Sequence, residues 1–322
     1  MKSRGYRLAR DYRRVRRIIC TDEKLNRKIR VLSLRQDAKL LPVHYWLKSH
    51  FVRLHFDGER AASIIATLTP DDDCKLEVEE YRLMLTGYCQ RIADGEHRLS
   101  CDRFGRVHTH ITSLKKELRS CLSVDGQPIV GWDLANSQPL IAGLLARRFC
   151  RSPSVQSRMS NATFKDENNP YCYKALAELT HHSSVKDDVQ EYLRCCEEGA
   201  FYESFGDDRE KVKKGFMSIL MGPIKYKGSV KADFNNKFPT VATMLHSLKL
   251  KDYRRVAWLL QNLEATIFIH RVCGRLMDEH PKLPVYTIHD SIYTIPRGRN
   301  IIKRVILEEF DRFGIVPTLK HC

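Results

Sequence analysis

The sequence predicts an α+β protein in which a small antiparallel sheet carries helical lobes. Three observations predict this class. Residues 1–100 have mainly helical patterns, the segment "PIVGWDLA" at 128–135 has strand character, and a strand pair at 284–296 follows another long helical stretch. The chain of 322 residues is long enough for a sizeable core and for more than one subdomain.

The N-terminal region, residues 1–100, combines helical patterns with positive charge. The stretch "EVEEYRLMLTGYCQRIADG" is amphipathic and ends at a glycine, as helices often do. Residues 1–35 hold 13 basic and 3 acidic side chains, which supply most of the formal net charge of +16, and Tyr6 and Tyr12 lie between the arginines. Such a field attracts nucleic-acid backbones in a salt-dependent way. A solvated basic helix is the alternative interpretation.

The strand at 128–135 places an aspartate, Asp133, near its end, and the apolar run "SQPLIAGLLARRF" that follows has a helical pattern. The polar stretch at 157–170 predicts a loop, and helical patterns resume through 171–220. Taken alone, Asp133 has the features of a cap or turn residue.

The segment "REKVKKGFMSILMG" predicts a helix with a cationic and apolar side. Arg209 and Lys213 are four residues apart and therefore share one side of that helix. Met217 and Met221 continue the same side, and Gly222 ends the run. Taken alone, this pattern is more typical of a solvated cationic helix than of a phosphate clamp.

The C-terminal part begins with a helical pattern at 253–279. In "PVYTIHDSIYTIP", β-branched and aromatic residues then predict two strands. His289, Asp290 and Ser291 occupy the position of a hairpin turn between them. A carboxylate at such a tip is either a turn former or a ligand.

Together these segments supply the carboxylates and the cationic side chains of a single kind of site. Two carboxylates on adjacent strands, here Asp133 and Asp290, can hold two Mg²⁺ ions about 3.5–4 Å apart. Ions at that position activate a 3′-hydroxyl and neutralise a triphosphate. Side chains such as Arg209 and Lys213, on one helix face, bind the phosphates.

In this order the segments resemble motifs A, B and C of the family A DNA polymerases and the related single-subunit, phage-type RNA polymerases. The similarity covers roughly residues 100–317, and the chain resembles a minimal, divergent member. The matching positions are Asp133 in motif A, Arg209, Lys213, Met217, Met221 and Gly222 in motif B, and His289 and Asp290 in motif C. The resemblance implies a polymerase right hand with an antiparallel palm sheet and helical thumb and fingers.

The resemblance also implies roles for individual residues. Asp133 and Asp290 are the expected catalytic residues and bind two Mg²⁺ ions, for which Mn²⁺ is expected to substitute, and the backbone carbonyl of Leu134 is a further metal ligand. The motif B side chains and Gln138 are expected to bind the nucleotide. The expected nucleic-acid contacts are Arg106 and Arg119 in "CDRFGRVHTHITSLKKELRSCLSVDGQPIVGWD", Gln261 in "LLQNLEA", and His289 beside the primer terminus.

The same resemblance divides the chain into four regions. These are a basic, thumb-like or template-binding region at 1–100, a palm segment with motif A at 101–150, helical fingers with motif B at 151–260, and a palm segment with motif C at 261–322.

Three departures from the family bear on the sugar of the nucleotide. Gln138 stands where the DNA polymerases carry a Glu that blocks a 2′-hydroxyl, Met221 replaces a Tyr, and Ser291 follows the motif C aspartate as in the RNA polymerases. Because bulk at Gln138 acts directly on the sugar, the sequence favours deoxynucleotides and a DNA polymerase. An RNA polymerase or primase that uses NTPs is the alternative, and a non-catalytic nucleic-acid-binding protein is the alternative of another class.

The expected partners are a DNA primer–template, with RNA as an alternative template, and nucleoside triphosphates. No membrane partner is expected, because no apolar run approaches the roughly 18–20 residues that span a bilayer. The N-terminus is charged where a signal peptide would be apolar, and the 11 cysteines contain no C-x-x-C pair. We therefore expect reduced cysteines and a cytoplasmic protein, and the small size indicates a replicative enzyme of a phage, plasmid or other mobile element.

Overall fold

The structure is a computed structural model that describes residues 21–38, 40–71, 74–96, 98–150 and 186–322. Tyr6, Tyr12 and the loop predicted at 157–170 lie outside these residues.

The described chain is a mixed α/β structure, mostly helical, with small antiparallel sheets. The helices are α1 Glu23–Asp37, α2 Pro42–Ser49, α3 Gly58–Ile65, α4 Val78–Ala93, α5 Ser137–Phe149, α6 Asp187–Glu197, α7 Arg209–Met221, α8 Ser229–Lys237, α9 Pro239–Lys249, α10 Arg255–Ala265, α11 Gly274–Glu279 and α12 Arg299–Asp311. The strands are β1 Leu54–Phe56, β2 Leu99–Cys101, β3 Val107–Thr109, β4 Leu122–Val124, β5 Gln127–Pro128, β6 Val130–Leu134, β7 Tyr286–Ile288, β8 Ser291–Thr294 and β9 Leu319–His321. None of the helices in these ranges is long and apolar enough to cross a bilayer.

The chain divides into two compact units. The first contains the described residues up to Ser100 together with His108–Ile129, and the second contains Cys101–Val107 and Val130–Cys322. The four regions expected from the sequence, and the right-hand arrangement of thumb, palm and fingers, stay predictions.

The first unit is built from α1–α4 and a three-stranded sheet in the order β1-β4-β5. Helix α4 is the amphipathic helix predicted from the sequence, and its buried residues Tyr81, Leu85, Cys89 and Ile92 recur at three- and four-residue spacing. The chain turns after it at Gly95, whose φ of 71° lies in the left-handed region that glycine adopts readily.

The second unit contains the four-stranded sheet in the order β7-β8-β6-β9, in which every pair is antiparallel. The predicted strands near 128–135 and 284–296 are confirmed as β6, β7 and β8. The sequence did not predict β9, which pairs with β6 on the side opposite β8. Strand β6, which carries Asp133, is therefore flanked by strands on both sides.

Close contact between β6 and β8 requires a glycine at position 131. A Cβ atom there would lie 2.4 Å from the carbonyl oxygen of Ile292 and 3.0 Å from the ring of Tyr293. We expect Gly131→Ala to lower the free energy of unfolding by about 1–3 kcal/mol, because the two backbones must separate. Urea denaturation measures this change. Gly58→Ala is the control, since nothing lies within 4 Å of its Cβ position, and equal destabilisation by both variants would contradict the strand packing.

Helix α7 buries one side in a cluster of aromatic rings. Phe216 lies 4.7 Å from Phe201 and 5.3 Å from Phe234 between ring centroids, and Tyr192 and Phe238 extend the cluster. Its opposite side remains exposed or half-exposed. This packing fixes which side of α7 is available to a ligand.

Helix α10 continues without a break through a π-helical segment, Thr266–Cys273, into α11. π-Helical turns are rare and occur frequently at functional sites. The segment begins two residues after Glu264, a buried acid of the site described next.

Candidate active site

The two aspartates singled out by the sequence belong to neighbouring segments of one sheet. Asp133 is in β6, and Asp290 is in the two-residue turn between β7 and β8. Asp133 pairs in register with Ser291, whose hydroxyl donates a 2.5 Å hydrogen bond to Asp133 Oδ1. The expected adjacency of the two acidic segments is thus confirmed, whereas their role as metal ligands stays a prediction.

Left-handed backbone occurs on both acidic segments. His289 has a φ of 55°, and Asn136, at the start of α5, has a φ of 56°. Residues other than glycine adopt this conformation uncommonly. Both polar side-chain atoms of Asn136 are buried, with no hydrogen-bond partner in the described part of the chain. A buried amide without partners is unusual, and the sequence did not single out this residue.

Glu264 on α10 connects the acidic segments. Its side chain accepts a hydrogen bond from Gln138 Nε2 and a longer one, 3.4 Å, from the Ser137 hydroxyl. Arg106 forms an ion pair with it at 3.4 Å and also donates to His289 Nδ1 at 3.3 Å. Arg106, Glu264 and His289 line one cavity. Gln138, expected beside the sugar, is therefore hydrogen-bonded to a residue of α10.

From the sequence, Glu264 is either a buried helical acid near the site or a surface residue. Its carboxylate interrupts the apolar side that Leu260, Leu263 and Ile267 form on the same helix. An acid on such a side must be buried with partners or exposed by a bend of the helix. Glu264 is 4% exposed, so the first description applies.

The site carries excess negative charge. Burial, together with the nearby charges of Glu264 and Asp133, raises the pKa of Asp290 to about 7. Burial also raises the pKa of Glu264, although the Arg106 guanidinium acts in the opposite direction. Three carboxylates therefore interact here, one of them paired with the Arg106 guanidinium, and a bound cation would reduce the repulsion among them.

The available ligands fit a divalent cation of the hard type. No group of three or more His, Cys, Asp or Glu side chains capable of holding a metal is found among the described residues. Mg²⁺, however, is commonly bound by one or two carboxylates together with substrate phosphates, and Asp133 and Asp290 supply that number. Leu134, the third expected ligand, is buried in β6 opposite Leu319, and the role of its carbonyl stays a prediction.

The predicted nucleotide-binding residues lie along the open side of α7. Lys213 is exposed, and Arg209, Met217 and Met221 are half-buried. Asp208 caps the start of the helix by accepting from the Lys211 backbone N–H at 3.0 Å.

Tyr202 lies beside the N-terminal end of α7 and was not singled out by the sequence. The Arg209 guanidinium lies 5.3 Å from its ring centroid and forms an ion pair of 2.9 Å with Glu203. Burial raises the pKa of Tyr202, with a smaller increase from Cys196, while Arg209 lowers it and Asp290 raises it. Tyr202 is thus within electrostatic reach of both Arg209 on α7 and Asp290.

Two lysines donate hydrogen bonds to backbone carbonyls at the C-terminal end of α7 and in the segment after it. Lys249, 5% exposed, donates to the carbonyl oxygens of Ile219 at 2.5 Å and Gly222 at 2.6 Å. Lys231 donates to the carbonyls of the following segment, Ile224 and Tyr226. Burial and the neighbouring Lys231 lower the pKa of Lys249 to about 8. The Lys249 bonds satisfy carbonyls that the end of a helix leaves without intrahelical partners, and the Lys231 bonds hold the segment that follows.

Two further predicted nucleic-acid contacts are Arg119 and Gln261. Arg119 belongs to the first unit, in a 3₁₀ helix at Lys116–Cys121. Gln261 is half-buried on α10, one turn before Glu264. Their contacts with nucleic acid stay predictions.

No protein-family model matches this chain, and no curated protein matches it. Among solved structures, the chain is distantly similar to the POL domain of Pol1 from M. smegmatis in complex with DNA primer-template and dNTP. The two are 10% identical, the TM-score is 0.38, and the match covers 92% of this chain and 65% of that chain. Membership of family A stays a prediction.

Proposed function

We propose that this chain is a template-directed nucleotidyltransferase that adds nucleotides to a 3′-hydroxyl, and that it acts as a DNA polymerase. The observation that carries the proposal is the pair Asp133 and Asp290. Asp133 lies in β6, Asp290 lies in the turn just before the neighbouring antiparallel strand β8, and the two interact electrostatically at a site with excess negative charge. The cationic open side of α7 supports it, as does the net charge of +16.

In this proposal Asp133, Asp290 and the Leu134 carbonyl would hold two Mg²⁺ ions, with Mn²⁺ as a substitute. Bound there, the ions would activate the 3′-hydroxyl and neutralise charge on the triphosphate. The Ser291 hydroxyl orients the Asp133 carboxylate through its 2.5 Å hydrogen bond.

The nucleotide phosphates would be bound by α7. Lys213 is exposed and can reach a phosphate without breaking an ion pair in the described part of the chain. Arg209 would leave its ion pair with Glu203 and bind a phosphate instead, because a phosphate accepts the paired N–H donors of a guanidinium as a carboxylate does. Met217 and Met221 would give the same side its apolar contact with the nucleotide.

The nucleic acid would lie beside the motif C turn. His289 is exposed there and accepts a hydrogen bond from Arg106, which orients its imidazole. We assign His289 and Arg106 to the primer side of the site, and Arg119 and Gln261 to further contacts with the primer–template.

The proposal is tested with the purified chain and a labelled DNA primer on a DNA template. We expect extension with Mg²⁺ and dNTPs, arrest when EDTA removes the metal, and recovery when Mg²⁺ or Mn²⁺ is added in excess. Parallel reactions contain NTPs instead of dNTPs, or an RNA template. Fluorescence anisotropy measures primer–template binding, which should weaken as salt is raised.

The outcomes separate the alternatives. Faster extension with NTPs would indicate an RNA polymerase or primase. Salt-dependent binding without extension in any nucleotide mixture would indicate a non-catalytic nucleic-acid-binding protein. Metal-dependent shortening of the primer would indicate a nuclease. Each of these results would overturn the assignment as a DNA polymerase.

A further inference from the structure

The position of Gln138 raises the question of what keeps its side chain in place. It lies in the first turn of α5, five residues after Asp133, and it is half-buried. A side chain rejects a ribose by its bulk only when it cannot rotate away from the 2′-hydroxyl. Glutamine has high rotamer freedom, so a sugar gate made of Gln138 requires a partner that fixes it.

Helix α7 does not offer that partner through its motif B side chain. Met221 carries only a thioether, which is a weak acceptor and donates no hydrogen bond. The hydrogen bond that Gln138 does make runs from its Nε2 to the Glu264 carboxylate. Bonds of this kind to an ionised acceptor are among the stronger ones in proteins.

Glu264 is itself held firmly. It is buried, it pairs with Arg106, and it accepts from Ser137, which neighbours Gln138 in the chain. A buried carboxylate beside two other carboxylates opposes folding, because desolvation and repulsion both act against its charge. The stability of the fold therefore does not account for an acid at this position.

We propose that Glu264 is the positioning residue of the sugar gate: it fixes the side chain of Gln138 and thereby sets how strongly the site rejects ribonucleotides. This inference rests on the proposed nucleotidyl transfer. Glu264 acts through Gln138 and is assigned no contact with the nucleotide or the reacting atoms.

The test compares sugar discrimination, the ratio of kcat/KM for a dNTP to that for the matching NTP in single-nucleotide primer extension. The wild-type chain is compared with Gln138→Ala, with Glu264→Met, which fills similar space without an acceptor, and with the double variant. Glu264→Gln keeps an acceptor for the Gln138 amide. Glu264→Asp shortens the side chain and serves as a second disrupting variant if Glu264→Met does not fold.

We expect the two single variants to lose discrimination by the same factor, about tenfold, and the double variant to lose no more than either. Glu264→Gln should retain most of the wild-type ratio. Glu309→Met is the matched control, since Glu309 is also buried and bound to arginines, here Arg271 and Arg275. That variant should be less stable and leave the ratio unchanged.

Several results would overturn the inference. One is a wild-type ratio near one, which leaves no discrimination to set. Another is an unchanged ratio in both disrupting Glu264 variants, or in Gln138→Ala. A third is a double variant in which the two losses multiply. Failure of the wild-type chain to extend a primer with any nucleotide would instead refute the proposed function.

Discussion

Replacing Asp290 with Asn is expected to lower the rate of primer extension about a thousandfold or more. An amide of nearly the same shape removes one of the two carboxylates assigned to the metal ions, and several kcal/mol of transition-state stabilisation are lost with it. Single-turnover extension with saturating primer–template measures the loss. Binding of the primer–template should stay close to wild type, because the variant keeps the basic surfaces of the chain.

The same variant should also be at least as stable as the wild-type chain, which is unusual for a substitution at a buried position. Burial and the charges of Glu264 and Asp133 raise the pKa of Asp290, so the ionised carboxylate destabilises the folded state. Asp290→Asn removes that repulsion, and urea denaturation should show an equal or higher free energy of unfolding. Loss of activity would then not be explained by unfolding.

Two further variants complete this experiment. Asp133→Asn should reduce extension to a similar degree, because it removes the other carboxylate. Asp311→Asn changes an exposed aspartate of the same unit and should leave extension unchanged. Extension by Asp290→Asn at the wild-type rate would show that the metal assignment is wrong.

Replacing Phe216 with Ala is expected to lower the free energy of unfolding by about 3–5 kcal/mol. The ring is fully buried and lies edge-on to Phe201, Tyr202 and Phe234, so its removal leaves a cavity that rigid neighbouring rings fill poorly. Because this cluster holds the inner side of α7, the variant should also raise the KM for the nucleotide. Urea denaturation and steady-state extension measure the two effects.

Lys214→Ala is the control for this change, since Lys214 is exposed on the same helix. Its effect on stability should remain within about 0.5 kcal/mol. A Phe216→Ala chain that loses less than about 1 kcal/mol would contradict the packing of α7 against the aromatic cluster.

Local patterns in the sequence were sufficient to predict the elements that carry the site. β-Branched and aromatic residues in "PVYTIHDSIYTIP" predicted β7, β8 and the turn with Asp290, and four-residue spacing predicted the open side of α7. These predictions succeeded because strand and helix periods are properties of adjacent residues. Strand β9 was missed because it is three residues long and forms only through pairing with β6, far away in the chain.

The partners within the site could not be predicted in the same way. Gln138 and Glu264 are separated by 126 residues, and Arg106 and His289 by 183. No spacing rule relates side chains at such distances, which meet only when separate elements pack. The sequence therefore indicated the size of the Gln138 side chain. The structure adds its partner, the Glu264 carboxylate, to which Gln138 is hydrogen-bonded.

The lysines at the end of α7 restrict how that helix can reorient. Lys231 belongs to α8 and Lys249 to α9, and each clamps backbone oxygens at or just beyond the last turn of α7. A swing of α7 that left α9 behind would break both Lys249 hydrogen bonds, and the Lys231 bonds join α8 to the segment that leads out of α7. We therefore expect α7, α8 and α9 to move together as one rigid body, with the hinge towards the N-terminal side of α7.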